Sequence, residues 1–167
     1  MRGIKTEQEI ELMQKATNLT EEALTETLKK VEVGVCEREL ALFMEMYMRQ
    51  HGAVGVAFDL IIISGKKTSM PHGVPDDKKL EYGDLITLDI GADVEGYKSD
   101  MTRTVALGAV SDYQAKVYDI VKTAQQAALD KIKSGVSCGE VDRTARDIIY
   151  KAGFEGCFCL LYTSDAA

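Results

Sequence analysis

A chain of 167 residues, 46% of them apolar, suits one domain with a packed core and is unlike a disordered or fibrous composition. A net charge of -7 with a pI near 4.9 excludes the basic surface by which nucleic-acid partners are held. No run approaches the roughly 20 apolar residues that span a bilayer, and the opening MRGIKTEQEIEL has no signal-peptide core, so a cytoplasmic protein without a membrane partner is expected.

The first element is a helix. Thr6 and Glu9 form a T-x-x-E capping box, and Ile10, Met13, Thr17, Thr20, Leu24, Leu28 and Val31 follow at helical spacing as the buried face, with Gly34 as the expected stop. A second helix is predicted from about Glu37 to Gln50, burying Leu40, Phe43 or Met44, and Tyr47, with Gly52 ending it. Met44, Met46 and Met48 read as core filler. The run FDLIIIS, Phe58 to Ser64, is short, apolar and β-branched, hence a buried strand closed at Ser64-Gly65. A polar loop then carries Pro71-His72-Gly73.

Two further strands, Asp84 to Asp93 and Tyr97 to Leu107, are joined at Glu95-Gly96. Ser111 and Gln114 cap a helix that runs to about Lys133, and Ser137 and Glu140 cap a last one that reaches Ala152 and stops at Gly153. Gly34, Val35, Glu39, Leu40 and Gly52 recur at one constant offset as Gly135, Val136, Glu140, Val141 and Gly153, which suggests an internal repeat. The strands that follow the first copy do not follow the second, and a truncated repeat is the expectation. The cysteines, Cys36, Cys138, Cys157 and Cys159, are scattered and read as reduced thiols; the single C-x-C of Cys157 and Cys159 lacks the second cluster of a zinc site.

The stretch Leu88 to Thr104, LDIGADVEGYKSDMTRT, carries the chemistry. With Glu95 and Gly96 as turn residues, Asp93 faces Lys98, Gly91 faces Asp100 and Asp89 faces Thr102. Asp89 and Asp100 then share one sheet face as diagonal neighbours, with Cα atoms about 7–8 Å apart, and Gly91 is expected to leave open space between them. Ile86, Leu88, Ile90, Met101 and Val105 form the opposite, core face. Two convergent carboxylates repel, so a cation or a proton belongs between them. Hard oxygen donors suit Mn²⁺, Mg²⁺ or Ca²⁺, and Co²⁺ or Zn²⁺ if imidazole joins. On spacing alone, a solvated hairpin face accounts for the pair equally well.

The order of FDLIIISG, then PHGVPDDKKLEYGDLITLDIGADVEGYKSDMTRTVALG, then a helix resembles the catalytic domain of the pita-bread metallopeptidases over about residues 2 to 158. LDIGA and SDMTRT look like the Xaa-Pro dipeptidase and aminopeptidase P branch. The resemblance implies an α+β pita-bread domain, incomplete here, with helices packed on one face of a mainly antiparallel sheet. Residues 1-158 form the N-terminal part of that domain, and 159-167, from Cys159 on, are an unmatched tail. It makes Asp89 a ligand of one metal, Asp100 a carboxylate bridging two, and His72 a catalytic residue at the scissile peptide. The cofactors implied are two divalent ions, Mn²⁺ or Co²⁺ foremost and Zn²⁺ third. The implied activity is removal of an N-terminal residue preceding proline by a metal-activated water, and the implied partners are such a peptide and a second copy of the chain as a homodimer. The family takes its remaining ligands and its base from an HGxGH-like strand and two glutamates that this sequence lacks, so the chain is expected to be an inactive fragment. Methionine aminopeptidase and a non-catalytic peptidase-like binding module are the rival readings.

Overall fold

The computed structural model describes residues 3–158, which form two compact units divided at Val110. Cys159 and the rest of the expected tail lie outside the described residues.

The first unit opens with α1, Glu7–Leu28, started by the Thr6/Glu9 capping box as predicted. Its end differs from expectation. The helix stops at Leu28 with Lys29 as its cap, and Gly34, at φ 94, instead turns the following loop, where its N–H donates to the Leu80 carbonyl at 2.9 Å. The buried face differs too: Ala16, Leu19, Thr20, Ala23 and Thr27 are inside, while Ile10 and Met13 are exposed. Small residues bring the helix axis close to the sheet, and the threonines satisfy their hydroxyls on the Ala16 and Ala23 carbonyls of their own helix. α2, Glu37–Gln50, has the predicted bounds and buries Leu40, Met44 and Met48; Met46 is exposed, so only two of the three methionines fill the core.

β1, Gly55–Val56, was not legible in the sequence, and β2 is shorter than the apolar run, Ile61–Ser64. A 3-10 turn, Gly65–Ser69, leads to the loop of Pro71, His72 and Gly73. β3, Leu85–Ile90, continues after Gly91 as β4, Ala92–Val94; β5, Tyr97–Lys98, continues as β6, Met101–Ala106. Two antiparallel three-stranded sheets result, ordered β1-β4-β5 and β2-β3-β6. The long hairpin therefore passes from one sheet to the other midway.

Its register does not change. Asp93 pairs with Lys98 and Val94 with Tyr97 on one side of the passage; Asp89 pairs with Thr102 and Ile90 with Met101 on the other. Glu95 and Gly96 take φ of 53 and 86, the positive pair that a two-residue type I′ turn requires. At the passage, the Ala92 N–H points at two buried hydroxyls, Thr20 Oγ1 at 3.1 Å and Ser99 Oγ at 2.9 Å, which bond one another at 2.7 Å. Ile86, Leu88 and Ile90 are fully buried and join Met101, Ala16, Leu19, Leu40, Met44 and Met48 in one core, so both helices cover the face expected to be apolar.

The second unit consists of α3, Asp112–Lys131, and α4, Cys138–Lys151, each with the predicted capping box. α4 and α2 have equal length, 14 residues, and each stands between glycines of positive φ: Gly34 and Gly52 flank one, Gly135 and Gly153 the other. The repeat read in the sequence thus extends to helix bounds and caps.

A Cβ at Gly91 would stand 2.1 Å from the Ser99 carbonyl oxygen and 3.0 Å from the Ala57 Cβ. The glycine is needed for backbone approach, which corrects the expectation that it leaves room between carboxylates. Gly139 meets nothing within 4 Å inside α4. Gly91→Ala should lower stability by about 2–4 kcal/mol through a backbone clash, whereas Gly139→Ala should raise it by up to about 1 kcal/mol through helix propensity. Urea denaturation of the two variants checks the opposite signs.

Candidate metal centre

β3 is the central strand of its sheet, so every residue on it has two cross-strand neighbours. Asp89 is opposite Ile61 on β2 and Thr102 on β6. Its neighbours Leu88 and Ile90 are buried in the core, and alternation turns Asp89 to the other face. There Thr102 Oγ1 donates to Asp89 Oδ1 at 2.8 Å, which holds one carboxylate oxygen. Asp100 precedes β6 and reaches the same side.

A cavity of about 600 Å³ lies on this face, lined by Asp89, Asp100 and His72, with Asp59 at its edge and Phe58, Val74 and Pro75 as its apolar wall. The three residues singled out in the sequence are therefore brought together. Gly73 allows the histidine loop to rest on β2, because a Cβ there would come within 2.7 Å of Ile63 Cδ1.

The electrostatics of the cavity are one-sided. Burial, and then the neighbouring charge of Asp89, push the Asp100 carboxyl above the usual carboxylate range. Among the described residues, no lysine or arginine lines the cavity. Lys98 Nζ, the cation cross-strand from Asp93, is spent on the Ala57 carbonyl at 2.9 Å. Two facing carboxylates with hard oxygen donors and no protein cation between them fit a divalent metal ion. Two carboxylates are not a full coordination sphere, and among the described residues no group of three or more His, Cys, Asp and Glu side chains is placed to hold a metal.

Several residues of this region were not singled out in the sequence. Thr102 orients Asp89, and its role follows from register alone. Glu37 and Lys67 bear on the histidine loop. Glu37 was read only as the start of a helix, yet it is fully buried. Asp59 borders the cavity and is exposed.

The sequence profile of metallopeptidase family M24 matches residues 11–162. The Xaa-Pro dipeptidase of Pyrococcus horikoshii is 40% identical over 154 residues, 92% of this chain and 44% of that protein. Among solved structures, the X-Pro aminopeptidase of Thermotoga maritima superposes with a TM-score of 0.87 at 42% identity, covering 92% of this chain and 44% of that one. The prolidase of Pyrococcus furiosus does so with a TM-score of 0.86 at 41% identity, covering 90% and 44%. The chain thus spans less than half the length of the relatives it matches.

Removing one of two repelling charges should relieve the metal-free site. Asp100→Asn is expected to raise the thermal stability of the metal-free chain at pH 7, by less than about 1 kcal/mol because solvent screens the pair. A melting temperature equal to or below that of the parent chain would show that Asp89 and Asp100 do not interact as described.

Proposed function

The chain belongs to metallopeptidase family M24, and from that premise we propose that its first unit forms the Asp89 and Asp100 side of a site that removes an N-terminal residue preceding proline. One observation carries the reading: both carboxylates and His72 border a single cavity that, among the described residues, holds no lysine or arginine. The names of the relatives, Xaa-Pro dipeptidase, X-Pro aminopeptidase and prolidase, support the proline preference over the methionine aminopeptidase alternative. The pair of carboxylates supports a hydrolase over a binding module that keeps only the fold.

Two divalent ions, Mn²⁺ or Co²⁺ foremost and Zn²⁺ third, when bound, supply Lewis acidity to a peptide carbonyl and make water acidic enough to act as a nucleophile. The residues of this chain do the following. Asp89, one of whose oxygens accepts from Thr102, would be a ligand of one ion. Asp100, on the same cavity, would help hold the ions. Burial first and the charge of Asp89 second hold the Asp100 carboxyl above the usual range, and a bound cation would offset both. His72 donates a ring N–H to the carbonyl oxygen of the scissile peptide and so orients it. Phe58, Val74 and Pro75 would give the substrate an apolar wall.

The test is a chimera in which residues 11–158 replace the matching part of the Thermotoga maritima X-Pro aminopeptidase. It should cleave Ala-Pro-X peptides in preference to Met-Ala-X. Asp100→Asn should lower kcat by roughly a thousandfold or more, since the amide keeps the shape and loses the charge that holds the ions. Asp93→Asn should stay within about threefold of the parent, because Asp93 serves the turn, where it accepts the Gly96 N–H at 2.8 Å, and an amide oxygen can still accept that bond. Equal, near-parental turnover by both variants would overturn the assignment, and faster cleavage of Met-Ala-X would transfer it to the methionine branch.

The 167-residue chain by itself should neither turn over an Xaa-Pro peptide nor bind two Mn²⁺ or Co²⁺ ions at micromolar affinity, because two carboxylates leave most coordination positions to solvent. Calorimetric titration and a peptide assay on the purified chain check this; two-site binding with steady turnover would refute it.

A further inference from the structure

Glu37, the first residue of α2, is fully buried, and its carboxylate is surrounded by donors. Oε1 accepts from the Ser64 N–H at 2.7 Å and from Ser64 Oγ at 2.9 Å. Oε2 accepts from Lys67 Nζ and, at 3.4 Å, from the Asp76 N–H. A buried carboxylate is tolerable only when paired in this way.

Lys67 uses its ammonium hydrogens on three acceptors: Glu37, Asp76 Oδ2 at 2.9 Å and the Val74 carbonyl at 2.9 Å. Burial pulls its pKa down, but the hydrogen bonds and charges of Glu37 and Asp76 prevail and raise it, so the side chain stays an ammonium at neutral pH. The third acceptor is the informative one. Val74 belongs to the segment His72 to Pro75 that lines the same cavity as Asp89 and Asp100, and that segment belongs to no helix or strand.

We propose that Lys67 is a positioning residue for the candidate site: anchored on buried Glu37, it holds the Val74 carbonyl and thereby sets where His72 stands relative to Asp89 and Asp100. The proposal rests on the role given to His72 above. It extends the site to a pair on α2 and the 3-10 turn that touches no substrate.

The sequence contains two histidines, which makes the test direct. His51 caps α2, with Nδ1 2.8 Å from the Tyr47 carbonyl and its ring stacked on Tyr47, and so reports whether the fold is intact. The chain, labelled with ring-¹³C histidine and made without a histidine tag, gives one Cε1–H resonance for each, assigned through His51→Gln. Lys67→Met removes the three donors at similar length. Glu37→Gln with Lys67→Met removes them without leaving a buried carboxylate unpaired. In these chains the His72 resonance should move by more than its linewidth or broaden at least twofold while His51 stays in place. Lys66→Met should move neither.

A role in stability alone would lower the unfolding temperature and leave the folded His72 resonance unmoved. An unmoved His72 in the double variant overturns the proposal, and so does loss of the native His51 resonance in both Lys67 variants, since Lys67 would then hold the fold rather than the loop. The readout needs no peptide turnover, so failure of the peptidase reading, seen in the chimera, remains distinguishable from failure of this one.

Discussion

The site depends on a hydrogen-bonded knot at one backbone N–H. Where the hairpin leaves the sheet of β3 and β6 for that of β4 and β5, ladder bonding is broken, and the Ala92 N–H would be left buried without a partner. Thr20 from α1 and Ser99 from the opposite strand supply two hydroxyl acceptors there, and the Ser99 N–H returns a bond to the Ala92 carbonyl at 3.0 Å. Gly91 permits the approach. Because side chains alternate across a strand, a slip of one residue at this passage would turn Asp89 into the core or Asp100 away from it. The knot prevents the slip, and it explains why a helix face of alanine and threonine is buried in preference to one of isoleucine and methionine.

That preference marks the limit of what the sequence discloses. The hairpin register followed from Glu95-Gly96, because a two-residue turn with positive φ at both positions fixes which residues face each other. α2 followed from apolar spacing and Gly52, α4 from its capping box and Gly153, and the apolar face of β3 from strict alternation. The shared face of Asp89 and Asp100 followed from the register, whereas the roles proposed for them and for His72 came from resemblance to a family, since spacing alone suits a solvated hairpin face equally well. The face of α1 was not legible: hydrophobic periodicity favours the side with most apolar area, whereas the fold selected the side with least bulk. Glu37 was equally opaque. A glutamate in a first helical turn is ordinarily a solvated partner of the helix dipole, and only the placement of Ser64 and Lys67, far along the chain, makes a buried one acceptable.

The two helix pairs bear on how the unit is built. α2 and α4 are alike in length, in capping by a residue three before a glutamate, and in flanking glycines of positive φ. They differ in environment. α2 begins at a glutamate whose carboxylate is consumed by β2 and the 3-10 turn, while its counterpart at the start of α4 is Cys138, which is exposed. A shared helix grammar therefore carries a specialised polar anchor in one copy only, on the copy that stands behind the histidine loop.

The chain handles buried or crowded carboxylates in two opposed ways, and the contrast supports the proposed metal site. Glu37 receives an ammonium, a hydroxyl and two backbone N–H groups, and Asp84 receives Lys78 Nζ at 2.8 Å and the Glu81 N–H at 3.0 Å. Each is neutralised within the protein. Asp89 and Asp100 receive one threonine hydroxyl between them in the bonds described, although the lysines and arginines of the chain number 20 in all. A fold with that many cations, several of them aimed at carboxylates a few residues away, leaves this pair without one where the sheet opens on a cavity. Uncompensated charge of this kind lowers stability, and it is retained where an external cation completes it. The same physics that closes Glu37 into the scaffold leaves Asp89 and Asp100 without a protein cation among the described residues, which is what the proposed metal site requires.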